Sequence, residues 1–120
     1  MKVTTHTQAE IEIAYEMFVD KVQTMVNKYF EKNYSNLEAP TIETVPGRKY
    51  WKIIRTDNYN GSPDGSASVF GFVRIDDGAI FKAASWAAPF IKGPSAIRGY
   101  VTDYSNGMDS VTPYGVIYAQ

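Results

Sequence analysis

The sequence predicts an α+β protein: one long amino-terminal amphipathic helix packed on a curled antiparallel β-sheet of about four to five strands. Three observations carry that expectation. Apolar residues recur at helical spacing from about Gln8 to Asn33, the period drops to two after Pro40, and the later extended runs are separated by Gly, Asn, Asp and Pro turns instead of further helical segments. No internal repeat, linker or low-complexity tract divides the 120 residues, so one domain, 1–120, is expected.

The helix is the clearest element. Thr7-Gln8-Ala9-Glu10 has capping-box spacing, in which a threonine hydroxyl accepts from the third backbone N–H and a glutamate reaches back to the cap. Behind it Ile11, Tyr15, Phe18, Val22, Met25 and Tyr29 recur at steps of four and three, with Val19, Val26 and Phe30 widening the stripe. Glu10, Glu12 and Glu16 crowd the first turns and Lys28 and Lys32 the last, which complements the helix dipole.

After the turn chemistry of Asn33 to Pro40, Lys49 to Asp57 reads as a strand with Trp51, Ile53 and Arg55 on one face and Tyr50, Lys52 and Ile54 on the other. Ser66 to Ile75 is a second strand. Simple alternation places Val69, Val73 and Ile75 on one face and Phe70, Phe72 and Arg74 on the other, so both faces carry apolar bulk and the strand is expected to be central. Between the two, Asn58 to Gly65 is a polar loop. Asp76-Asp77-Gly78 turns the chain into a strand over Ala79 to Ala84. Ile97 to Val101 is extended, and Tyr114 to Ala119 is a last strand.

Composition excludes several chemistries. There is no cysteine and a single histidine, His6, in the polar amino-terminal tail, which removes thiolate zinc sites, thiol nucleophiles and a histidine base in a core cleft. No cofactor and no metal are expected. No apolar run approaches a membrane span, and MKVTTHTQAE lacks the apolar stretch of a signal peptide, so a soluble, intracellular protein without a membrane role is expected. The net charge of −1 conceals segregation: residues 1–45 hold four Lys/Arg and seven Asp/Glu, residues 46–100 eight and four, and residues 101–120 none and two. The middle of the chain is basic, at 8 − 4 = +4. Nine tyrosines suit surfaces that are partly apolar and partly wet.

The succession PGRKYWKIIR, SVFGFVRIDDGAIFKAASWAAP, IRGYVTD and PYGVIYAQ resembles a group of small uncharacterised proteins of tailed bacteriophages, including phages of cyanobacteria. Its members carry "GRKY.KI", "GDI.KAASW.AP" and "PYG.AYL" stretches in this order. The similarity runs from about residue 46 onward and extends to the kind of helix that precedes it. It implies a viral gene product working in the cytoplasm of an infected bacterium, and implies no activity, cofactor or catalytic residue. Two departures affect loops: Asn58 to Gly65 is longer than is usual in the group, and Phe90-Ile91-Lys92-Gly93-Pro94 replaces a more basic, alanine-rich linker.

Three classes of function remain. Protein contact comes first: a small phage accessory protein that binds a host or viral protein, or a copy of itself, needs no catalytic constellation. Nucleic-acid or nucleotide binding comes second. Arg48, Lys49, Lys52 and Arg55 are interleaved with Tyr50 and Trp51, the mixture of charge and flat rings that phosphate neutralisation and base stacking use, and Lys82 and Arg98 could join them if the strands curl. Because Lys52 and Arg55 alternate to opposite faces, the patch would rest on Arg48, Lys49, Tyr50 and Lys52. A small hydrolase-type enzyme comes third. The Asp76–Asp77 doublet fits a turn better than an acid/base pair, Ser85 with Lys82 is a spacing coincidence, and no Walker-type loop or GxGxxG is present.

Trp86, set in KAASWAAP, is expected to continue the hairpin strand and plug the sheet's end against the helix, so that Trp86→Ala would cost about 3–5 kcal/mol. The competing expectation places Trp86 and Lys82 on the rim of a pocket beside the loop 87–96.

Overall fold

The computed structural model describes residues 6–58 and 66–117. Helix α1 spans Gln8–Asn33, with both halves of the capping box formed between Thr7 and Glu10. Its buried stripe is Ile11, Tyr15, Phe18, Val22 and Val26, so in the last turns the apolar line runs through Val26, and Met25 and Tyr29 are only half-buried. Five strands follow as an antiparallel meander in sequential order: β1 (Thr41–Pro46), β2 (Tyr50–Thr56), β3 (Ala67–Arg74), β4 (Ala79–Phe81) and β5 (Ile97–Tyr100). A 3₁₀ turn at Met108–Ser110 leads into a two-stranded ribbon, β6 (Val111–Thr112) and β7 (Gly115–Val116). The architecture is the α+β arrangement expected, and β3 is its central strand.

Helix and sheet meet through Tyr15, Phe18, Val22 and Val26 against Ile42, Ile53, Phe70, Val73 and Ile80, and the ribbon adds Val111 and Val116. Tyr15 stacks on Trp51 with ring centroids 4.1 Å apart and donates or accepts a 2.9 Å hydrogen bond with Thr44, while burial pushes its phenol pKa up. The other sheet face is covered by the chain itself: Phe72, Ala79 and Phe81 pack with Ala96, and Tyr50, Val69 and Ala83 border them.

The β3 faces and the end of β4 differ from the sequence expectations, β1 is an addition to them, and two expectations fall partly outside the described residues. The edge strand β1 escaped notice because its burial carries no alternation: only Ile42 is buried and the run ends in Pro46. In β3 a bulge opposite Ile53/Ile54 inserts one residue, so Phe70 joins Val73 on the helix side while Val69 and Phe72 face outward. Regular pairing in β4 stops at Phe81, three residues earlier than expected, and Ala83 then bridges Pro89 alone. The expected loop 58–65 lies outside the described residues except for Asn58, whose amide donates to the Ala39 carbonyl and the Thr41 hydroxyl. The expected final strand is described only to residue 117, and within it only Gly115–Val116 pair.

The turn between β3 and β4 is built as its residues dictate. Gly78 adopts φ +76° and its N–H donates to the Arg74 carbonyl at 2.8 Å. Asp77 accepts two hydrogen bonds from the Arg74 guanidinium, at 3.0 and 2.8 Å, and one from the Ala79 N–H. Among the described residues no helix is long and apolar enough to cross a membrane.

Candidate functional site

The β1–β2 hairpin turns through Gly47, Arg48 and Lys49, closed by a 3.0 Å bond from the Gly47 N–H to the Tyr50 carbonyl. That turn leaves Arg48 and Lys49 exposed at the tip. Alternation along β2 then puts Tyr50 and Lys52 on the outer sheet face, where Lys52 stands opposite Phe72 and Tyr50 packs edge-on to Phe72 and Phe81. Arg48, Lys49, Tyr50 and Lys52 thereby line one groove of about 280 Å³ with Val45, Phe72 and Ala87. Among the described residues no carboxylate lines it and none of its three cations makes an ion pair.

Trp86 joins this face, and the expectation that it plugs the core fails. Residues 83–89 form a tight return in which the Ala84 and Ser85 N–H groups both donate to the Ala88 carbonyl and the Ser85 hydroxyl accepts from the Ala87 N–H. The small residues around the indole serve that return, and the tip carries Trp86 outward to 53% exposure. Its ring lies under the Lys52 ammonium, 4.3 Å from Nζ to the centroid. The partner is Lys52 of β2, across β3 from β4, and not Lys82.

Lys82 and Arg98 stand elsewhere. The Lys82 ammonium lies 5.5 Å from the Phe90 ring centroid, and the residue lines a separate cavity with Phe70, Thr112 and Val116. Arg98 sits at the bulge of edge strand β5, half-buried, with its Nε and Nη1 lacking a hydrogen-bond partner among the described residues. Arg55 faces the helix side, as alternation requires. The pairs considered for catalysis are not assembled: Asp77 is engaged by Arg74 while Asp76 is exposed, and Ser85 and Lys82 are each engaged by other groups. No cluster of three or more His, Asp or Glu able to hold a metal occurs among the described residues.

A larger cavity, about 790 Å³, opens at the carboxy-terminal end of α1. Phe30 and Tyr34 come from the helix end, Arg55 and Asp57 from the end of β2, and Tyr114 from the β6–β7 turn. The Arg55 guanidinium lies 5.9 Å from the Phe30 centroid and 5.5 Å from that of Tyr114, and Nη1 donates to Asp57 at 3.0 Å. Tyr29 and Tyr114 share a hydroxyl hydrogen bond of 3.0 Å. Sequence reasoning missed this cavity because its walls lie up to 84 residues apart, from Phe30 to Tyr114 (114 − 30). The one available signal was the tyrosine content.

A family of unknown function, DUF7717, matches residues 1–106, which takes in the helix, the sheet and both ends of the groove. The chain belongs to that family. The DUF7717 match stops short of the β6–β7 ribbon, so Tyr114 lies beyond the matched segment and Arg48 to Lys52 within it. No curated protein and no solved structure matches the chain.

Proposed function

We propose that this chain is a non-enzymatic accessory protein of a tailed bacteriophage, working in the host cytoplasm, that binds single-stranded nucleic acid on its outer sheet face. The observation that carries this reading is the convergence of Arg48, Lys49 and Lys52, none of them ion-paired among the described residues, in one groove beside an exposed indole. Phosphates need the cations, and a base needs a flat ring that water can reach. Sequence alone favours protein contact; the grouping of these side chains brings nucleic acid ahead of it. Protein binding or self-association remains the second reading, favoured by Ile91, Ile97 and Tyr100, large apolar side chains left exposed between the 83–96 segment and β5.

Anisotropy of a labelled oligothymidylate, followed over a salt titration, tests the proposal. Three phosphate contacts predict a slope of log K against log salt of about −2 (0.7 × 3), and Arg48→Glu with Lys52→Glu abolishes binding. An oligonucleotide that fails to bind at low salt, or binds with no salt dependence, overturns the proposal and leaves the protein-contact reading.

A further inference from the structure

The cavity at the carboxy-terminal end of α1 is independent of the outer groove and on the opposite side of β2, and its central feature is a guanidinium with an unused edge. The Arg55 side chain is only 12% exposed, and its Nε is buried without a hydrogen-bond partner among the described residues. Asp57 takes the Nη1 corner alone. Nε and Nη2 form the pair of parallel N–H groups that grips an oxyanion in bidentate fashion, and among the described residues no carboxylate occupies that edge. A buried donor is ordinarily satisfied, and one that is not, beside an open cavity, is a place where a ligand atom belongs.

The walls specify the rest of the ligand. Phe30, Tyr34 and Tyr114 present ring surface, and Leu37 adds an apolar side chain at the rim. Such walls hold a flat apolar body against the oxyanion's anchoring point. Charge limits the anion: among the described lining residues Arg55 is already paired with Asp57 and Glu38 adds a second carboxylate, so no positive charge is in surplus. One negative charge is anchored by the hydrogen bonds of the Nε–Nη2 edge, whereas a second would add repulsion from both acids with no cation left to offset it. We propose that this cavity is a binding site for a small planar aromatic monoanion, its carboxylate held by the Nε–Nη2 edge of Arg55 and its ring by Phe30, Tyr34 and Tyr114.

The probe is 1-naphthoate, titrated into the full chain and followed by the Arg Nε–Hε resonances in two-dimensional NMR. One Arg Nε–Hε resonance, absent from the spectrum of Arg55→Lys, shifts saturably to lower field. 1-Naphthol, acetate and 1-naphthyl phosphate at about pH 8, where the ester is a dianion, each bind about tenfold more weakly or worse. Arg55→Lys, which keeps the charge and removes the fork, loses about tenfold or more in affinity for naphthoate. Leu37→Glu gives the same loss at a position 59% exposed, where folding is not at stake. Equal binding of naphthol, preference for the dianion, an unmoved Arg55 resonance, or full affinity in Leu37→Glu each overturns the proposal.

Discussion

Single side chains in this protein owe their roles to one or two contacts. Trp86 rests on a tight alanine loop with half its surface in water, so Trp86→Ala is expected to change unfolding free energy by no more than about 0.5 kcal/mol in a urea titration, as at other surface sites. A loss of several kcal/mol would restore the core reading. Its sequence neighbourhood was misleading for a physical reason: small residues beside an indole accommodate either close packing or a sharp return, and alternation beyond Phe81 presumed a strand that had ended. Asn106 shows the opposite case, a polar residue that sequence patterns pass over. It is 8% exposed at φ +57°, and its amide donates to the Ala14 and Val101 carbonyls, tying the segment after β5 to the helix.

Asp77 belongs to the same scale and gives a pH dependence. Burial opposes its charge, but hydrogen bonds from Arg74 and from the Ala79 N–H, together with the nearby guanidinium, hold its carboxyl below the usual range. A folded pKa below the unfolded one means that the stabilisation is present above the unfolded carboxylate range, about 3.9, and is lost as pH falls through the lower folded value. Stability measured by urea unfolding from pH 5 down to 2 therefore declines less steeply in Asp77→Asn than in the wild type. With the pair partly exposed, the difference is about 1 kcal/mol or less. An identical decline in both proteins would show that the pair contributes nothing.

Elements were legible to the extent that their periodicity survived packing. The bounds of helix α1 were readable to the residue because its cap, apolar spacing and charges agree, although its last turns bury Val26 in place of Met25 and Tyr29. Strands β2 and β3 were readable as strands, but the faces of β3 were not, because a bulge leaves no mark on composition and reverses the alternation N-terminal to it. Gly71 is its trace in the sequence. A Cβ there would lie 2.5 Å from Val116 Cγ2 and 3.1 Å from the Phe81 carbonyl, so the glycine lets the β6–β7 ribbon close on β3. Gly71→Ala is expected to destabilise by about 1–3 kcal/mol. Adding Val116→Ala should recover part of that loss in a double-mutant cycle; purely additive effects would show that the ribbon does not press on the bulge.

The molecule as a whole has unlike faces. The solvent side of α1 carries Glu12, Glu16 and Asp20, all exposed, and the outer face of the sheet carries Arg48, Lys49 and Lys52. Segment charges already contained this asymmetry, since the helix and the basic strand are separate stretches of chain. What they could not contain was the meeting of β2 with the loop at 83–89, because neither stretch names the other. Both sheet edges are partly blocked. The Gln23 side chain accepts from the Ile42 N–H and Pro46 ends β1, while the Ser110 hydroxyl donates to the Arg98 carbonyl of β5. Strand-to-strand association is thus disfavoured, and a partner meets the side chains of a face instead.

The two tryptophans make that face directly observable. Trp51 stacks on Tyr15 under the helix, and Trp86 is exposed beside Lys52, so Trp51→Phe leaves a single reporter on the proposed surface. Its emission, followed while an oligothymidylate of about eight nucleotides is added at low salt, is the decisive measurement. Saturable quenching that disappears as salt is raised, and that is absent in the Arg48→Glu, Lys52→Glu variant, is the result expected of a nucleic-acid-binding face. Emission that stays unchanged at saturating oligonucleotide would contradict it.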